Sequence, residues 1–360
     1  MNLRKSTNYM LLSLLVLLST ACTSSTEYTL GYWHQRSDFD GKARAGAAFF
    51  NIDDIEYIVG GGNGKSQRLK SMYSFNLTVT DYTKAYFTEL FSETSTATMP
   101  SARELATGFA VGGKGYITCG YDGTNPLKDT WEYTPATNQW RQVDDFPGDI
   151  RYGALSFTID NYAYVGCGYN DDGSLKDFYR YDPNQADGSH WTKIEGYGGS
   201  KRAMGMAFVI NKVAYIVGGK NNNSDCKDMW KFDGTNWTRL RYITNEDDLV
   251  EGTDKSFNDD YTSIVRFGGV AFALNGKGYI GLGAAASGSY RSNYWIYDPT
   301  TDLWSNNDGD VTDFAGATRI NSVYFTNKAG NLGFVTTGGS GSSSFFDDTY
   351  QFSPDEYKEK

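Results

Sequence analysis

Six arginines, Arg44, Arg103, Arg151, Arg202, Arg266 and Arg319, each head a stretch of similar text, at a spacing of about fifty residues. A guanidinium is permanently charged and presents a planar fork of donors that matches a carboxylate. Six of them at one place make an anion-binding site, or a costly charge cluster unless acids or carbonyls answer it. The other residues with chemical potential are few. His34 and His190 are the only histidines, which excludes a histidine-rich metal centre by count. No nucleophile–His–acid motif and no phosphate-cradling glycine loop is present. "NDDG", Asn170 to Gly173, begins like a calcium loop but lacks the distal Glu. Glu104, next to Arg103, and Glu251 are acids that proton transfer would need, yet nothing ranks them above other acids. No catalytic residue, metal or cofactor is therefore assigned.

What positions the arginines is a repeated unit. The copies open "RAGAAFFNIDDIEYIVGG" at Arg44, "RELATGFAVGGKGYITCG" at Arg103, "RYGALSFTIDNYAYVGCG" at Arg151, "RAMGMAFVINKVAYIVGG" at Arg202, "RFGGVAFALNGKGYIGLG" at Arg266 and a looser "RINSVYFTNKAGNLGFVTTGG" at Arg319. Each runs through small and apolar residues into a Tyr-rich strand and reaches a glycine pair or its remnant. A polar loop, an aromatic-x-aromatic strand and usually a Trp follow. "GYDGTNPLKDTWEYTP" from Gly120 and "GYNDDGSLKDFYRYDP" from Gly168 are the same loop and third strand in adjacent copies. Units of this length that cannot bury both faces alone must stack on their neighbours, and six of them make a ring of four-stranded sheets, an all-β, six-bladed β-propeller. The tryptophans fall in register: Trp131, Trp230 and Trp295 on third strands, and Trp33, Trp140, Trp191, Trp237 and Trp304 on fourth strands. They read as packing between blades.

These features resemble the kelch family: an apolar strand, a diglycine (Gly60-Gly61, Gly218-Gly219, Gly338-Gly339), then an aromatic and a Trp at set distances. The resemblance covers residues 30–355. Cys119, Cys167 and Leu282 depart from it at the first glycine of three pairs, and the first copy has "YFTELF" where a Trp is due. The last copy ends without a fourth strand, while "YTLGYWHQRSDF" before Arg44 carries the Trp of a fourth strand with nothing in front of it. The N-terminal segment around Trp33 is therefore expected to join the last blade and close the ring, covering an edge left open to mispairing.

In such a ring the innermost strand begins beside the central channel, so the six arginines are expected at one mouth. Alternatively, each bonds carbonyls or acids of the neighbouring blade. The loops after the glycine pairs face the same way and add Tyr121, Tyr169, Lys220, Asn221, Asn222, Tyr290 and Phe345, a set suited to carbohydrate or peptide. Kelch ubiquitin-ligase adaptors that grip acidic peptides and kelch sialic-acid epimerases of bacterial periplasms are similar in using arginines at this end. The acid-rich stretch 245–260, between the fourth and fifth copies, either caps this mouth or is a solvated loop. The lack of further histidines argues against the copper chemistry of galactose oxidase, whose propeller superfamily the chain otherwise resembles.

The first residues read separately. Arg4 and Lys5 precede an apolar run from Met10 to Leu18 that is too short to span a membrane, and "STAC" ends at Cys22. This resembles the lipobox of bacterial lipoproteins, which implies a signal over 1–21, a lipidated Cys22, a tether over 22–29 and a place in the cell envelope, at the outer membrane. Residues 356–360 are set aside as a tail. Loss of Arg4 and Lys5 takes the formal charge from −10 to −12, which disfavours nucleic acid. Cys119, Cys167 and Cys226 remain, an odd number, so no disulfide framework holds the fold. The expected molecule is a monomeric, lipid-anchored propeller that binds an acidic sugar or carboxylate-bearing peptide at its mouth without catalysis. The alternatives are a periplasmic sugar epimerase or mutarotase, and a scaffold docking through its outer side.

Overall fold

The computed structural model describes residues 28–64, 66–79, 87–244, 263–306 and 312–359. The leader, Cys22, most of the tether, Glu251 and the stretch 245–260 lie outside these described residues. Six antiparallel four-stranded sheets form blades I to VI of a propeller. Blade I consists of Ala48–Ile52, Ile55–Val59, Met72–Asn76 and Phe87–Phe91. Blade II has Thr107–Val111, Lys114–Thr118, Thr130–Thr134 and Gln139–Val143. Blade III has Leu155–Ile159, Tyr162–Gly166, Phe178–Tyr181 and Trp191–Ile194. Blade IV has Met206–Ile210, Val213–Val217, Trp230–Phe232 and Trp237–Arg239. Blade V has Val270–Leu274, Lys277–Gly281, Tyr294–Asp298 and Leu303–Ser305. Each innermost strand packs on the next, and that of blade VI returns to blade I.

Blade VI is closed as the sequence predicts. Its strands are Val323–Thr326, Gly333–Thr336, Thr349–Glu359 and, outermost, the N-terminal Tyr28–Gln35. Trp33 lies opposite Phe352, and Tyr28 opposite Glu359. The last strand thus runs through residues 356–359, which the sequence assigns to a tail, and Tyr28 and Thr29 are strand rather than tether. Gly31, at φ 91°, bulges the pairing between Leu30 and Tyr32.

The core is a series of aromatic seams. Within a blade a Phe of the first strand stacks on an aromatic of the second: Phe50 on Tyr57 at 5.2 Å, Phe109 on Tyr116 at 5.0 Å, Phe157 on Tyr164 at 5.1 Å. The next blade must then present almost no side chain there. Gly115 does so, since a Cβ on it would sit 1.9 Å from the Phe50 ring, and so does Gly278 beneath Phe208, where the gap would be 2.4 Å. The eight tryptophans occupy the predicted third and fourth strands. Trp140 and Trp304 pack on Tyr133 and Tyr297 of their own blades, at 5.1 and 5.0 Å.

Candidate functional site

The six arginines are not on the channel wall. Each side chain is 0–2% exposed, and none lines the central cavity. Each guanidinium turns back into its own blade, not the neighbouring one, and caps the carbonyl at the first position of that blade's glycine pair, which in blade VI is Thr337-Gly338, one residue ahead of the Gly338-Gly339 expected from the sequence. Arg44 donates to Gly60 at 2.8 Å, Arg103 to Cys119 at 3.0 Å, Arg151 to Cys167 at 2.8 Å, Arg202 to Gly218 at 2.7 Å, Arg266 to Leu282 at 3.1 Å and Arg319 to Thr337 at 3.0 Å.

In blades I, II, III, V and VI Nε donates to the carbonyl two residues before the arginine, and further donors meet the residue that leads into the third strand. In blades II, III, IV and VI this is a carboxylate, Asp129, Asp177, Asp228 or Asp348, which binds the guanidinium in charge-assisted contacts. Blade V has Asn293, and burial next to Arg291 pulls Arg266 down to about 9. Blade I has Ser71 at 3.0 Å, and burial pulls Arg44 down to about 10 although Glu93 opposes it. The Asp of the repeated Lys-Asp phrase is thus the arginine's partner, 26 residues downstream in blades II and III. That fixed offset is the signal the sequence reading passed over.

Two residues past each arginine the chain takes a left-handed turn. Gly46, Leu105, Gly153, Met204, Gly268 and Asn321 have φ between 52° and 64°. Their amides form a closed circle: Gly46 donates to Asn321, Leu105 to Gly46, Gly153 to Leu105, Met204 to Gly153, Gly268 to Met204 and Asn321 to Gly268, at 2.6–2.8 Å. A second circle runs outside it, where the second residue of each glycine pair donates to the next arginine's carbonyl at 2.7–2.9 Å. These amides are spent on one another, so a ligand at the mouth must be held by side chains above the circle. Leu105 and Met204 carry a backbone strain of about 1–3 kcal/mol each, which the closed circle sustains.

Those side chains come from the residue after each arginine and its bridge partner after the glycine pair: Ala45 with Gly62, Glu104 with Tyr121, Tyr152 with Tyr169, Ala203 with Lys220, Phe267 with Ala284, and Ile320 with Gly339. The rim is lopsided. Over blades II to V stand Tyr121, Tyr152 and Tyr169, with ring centres 5.4 and 5.5 Å apart, and then Lys220, whose ammonium lies 4.5 Å from the centre of the Phe267 ring. Over blades VI, I and II the rim sinks into a notch of about 230 Å³, walled by Phe345, Ile320, Arg68 and Glu104 and floored by Ala45, Gly46 and Gly339. Arg68 pairs with Glu104 at 2.7 Å and lies over Tyr121 at 5.4 Å. Burial pushes the Glu104 carboxyl up, and the Arg68 charge only partly offsets this. Burial pulls Lys220 down, and among the described residues its ammonium meets no carboxylate.

The family model described as the KLHDC2/KLHL20/DRC7 Kelch-repeats domain matches residues 33–219. The chain belongs to the Kelch-repeat family. Its fold is similar to that of the solved structure titled "Structure of YjhT", with a TM-score of 0.65 and 15% identity over 87% of this chain and 95% of that one. At that identity the likeness concerns the fold. No curated protein matches the chain.

The Kelch mouth therefore gathers Tyr121, Tyr169, Lys220 and Phe345 from the predicted loops and adds Tyr152, Phe267 and Arg68, which the sequence reading missed. Tyr152 and Phe267 directly follow arginines of the repeat and could have been read from that register; Arg68 lies in a variable loop that carries no signal. Tyr290 accepts the Gly341 amide at 2.7 Å and ties the loops of blades V and VI, while Asn222 exchanges hydrogen bonds with Ser174 between blades III and IV. Beneath the mouth lies a central cavity of about 260 Å³ lined mainly by small residues, with Phe49, Leu105, Leu155, Met204 and Tyr324 among them, and Tyr324 is its titratable group, pushed by burial to about 12.

Elsewhere in the Kelch ring, among the described residues Asp144, Asp187 and His190 lie within ligand distance of one another. Asp144 and Asp187 face opposite nitrogens of the His190 ring, at 2.7 and 4.0 Å, and Asp144 also accepts the Gly188 amide, so the group clasps blades II and III rather than converging on an ion. His34 pairs with Glu356 on the closing strands at 2.9 Å. In the "NDDG" turn the Asn170 side chain accepts the Asp172 amide, as a turn requires. Cys119, Cys167 and Cys226 are free and buried, and burial pushes the first two thiols up to about 12.

Proposed function

We propose that this Kelch propeller is a lipid-anchored binding protein of the bacterial cell envelope that takes a carboxylate-bearing ligand, an acidic sugar before an acidic peptide, at the mouth of its channel without transforming it. The observation that carries this reading is Lys220. A half-buried ammonium resting on Phe267, which among the described residues forms no ion pair while Asp225 opposite it accepts the Ala286 amide, bears a desolvation cost that an arriving carboxylate offsets. The Tyr121–Tyr152–Tyr169 arc next to it supplies aromatic faces for a sugar ring. The test is a thermal-shift screen of the chain from Thr23 onward against glucuronic and galacturonic acids and their neutral parents. The acids raise the melting temperature, and Lys220→Met abolishes the rise while leaving the protein folded. An equal shift with the neutral sugars sinks the proposal.

A second reading, a mutarotase or epimerase working in the same mouth, is favoured by Glu104, whose raised carboxyl beside Arg68 is suited to proton transfer. Anomer exchange of the bound sugar that vanishes in Glu104→Gln would establish it. The exposed large apolar side chains among the described residues are Tyr28, Ile150 and Tyr357, too few for a broad docking face on the outer side.

A further inference from the structure

Second strands of the blades carry Gly115, Ala163, Ala214, Gly278 and Gly333 at one shared position, where a Phe of the preceding blade presses in. In blade I that position is Glu56, directly across from Asn51. Glu56 is 0% exposed, and neither carboxyl oxygen makes a hydrogen bond of good geometry, the Asn51 amide across the strand pair approaching it without forming one. The residue two further on, Ile58, shares its face and packs with Val323, Phe325 and Phe334 of blade VI. Glu56 is therefore inserted into the apolar seam where the last blade meets the first. The titratable groups on the elements around it are Asp53 and Asp54 at its hairpin tip, Tyr57 on its own strand, Tyr324 and Lys328 on blade VI, and Tyr73 with Glu89 on the outer strands of blade I. Lys328 is engaged by Asp53 at 2.8 Å, and the Tyr73 hydroxyl donates to Glu89 at 3.0 Å. Burial pushes the Glu56 carboxyl well above the ordinary range, and Asn51 tempers this only in part.

We propose that Glu56 is a protonation latch on the ring-closing seam: as a neutral acid it lets blades VI and I pack, and as a carboxylate it loosens that seam and no other. A carboxylate cannot stay in an apolar seam without partners, so ionisation must admit water or part the blades. The other seams carry hydrogen or a methyl group at this position and have nothing to ionise. The latch also bears on the mouth, because Ala45 of blade I and Ile320, Gly339 and Phe345 of blade VI, on the two sides of this seam, all line the notch.

The direction follows from linkage. Below the ordinary carboxylate range Glu56 is protonated in both the closed and the opened states, and the seam holds fully. As pH rises above that range the opened state releases its proton first, and the open population grows about tenfold per pH unit until the closed state ionises too.

Hydrogen exchange on the folded protein across pH 5 to about 8, read as protection factors at each seam, tests this. Protection at the Ile55–Val59 and Gly333–Thr336 strands falls about tenfold per pH unit in the parent, while Tyr162–Gly166 and Val213–Val217 stay level, and Glu56→Gln flattens the slope. Glu56→Ala, the residue blades III and IV use, gives the same flat profile should the Gln variant fold poorly. An unchanged slope in either variant, or an equal loss of protection at every seam, overturns the latch.

Discussion

Removing Asp177 distinguishes arginines that brace their own blade from arginines that hold a ligand. Asp177 binds the Arg151 guanidinium at 2.7 and 2.9 Å, and the Arg151 side chain is 0% exposed. Asp177→Ala leaves that cation with the Cys167 and Asp149 carbonyls and the Phe146 ring 4.6 Å away. Orphaning one partner of a buried pair costs about 3–5 kcal/mol. Because the Asp177 side chain is 27% exposed, water reaches part of the gap, and the lower figure applies, about 3 kcal/mol. For a propeller of this size that corresponds to a drop in melting temperature of about 4 °C. Urea unfolding followed by tryptophan fluorescence gives the number. The double variant Arg151→Met, Asp177→Ala, which removes the charge with its partner but leaves the Cys167 carbonyl without its donor, should recover only part of the loss. A single-variant loss under about 1 kcal/mol refutes a structural role for this pair.

Asn293→Asp gives Arg266 the carboxylate that blades II, III, IV and VI already possess, and urea unfolding at neutral pH should show a gain of about 1 kcal/mol. Gly115→Ala drives a methyl group into the Phe50 ring and should lower stability by about 2 kcal/mol in the same assay, although alanine is native at the equivalent positions of blades III and IV. The three thiols should resist a thiol reagent at neutral pH in the folded protein and react at once in urea, because burial both hides them and raises Cys226 to about 11 and the other two to about 12.

The ring itself was legible because its determinants are local and repeated six times. An aromatic strand, a glycine pair and a tryptophan in register define a blade, and a tryptophan without strands before it defines the closure. The arginines were misplaced because the repeat fixes where their backbone begins, beside the channel, but not where the side chain goes. Their direction depends on an aspartate 26 residues downstream in blades II and III and on the left-handed turn two residues on. At Leu105 and Met204 that turn is imposed by the circle of amides, and neither leucine nor methionine announces it. Half of the mouth was legible from loop tyrosines and Lys220. The notch was not, since it arises from what Ala45, Gly46 and Gly339 lack, and Glu56 looked like any other acid until its neighbours in the seam were known.

Calorimetric titration of galacturonic acid, and of galactose alongside it, into the parent and into Lys220→Met and Asp177→Ala tests the central claim most directly. Binding of the acid alone, lost in Lys220→Met and kept in the destabilised but folded Asp177→Ala, is the predicted result. Equal binding of both sugars, or binding of the acid that survives the loss of Lys220, would contradict it.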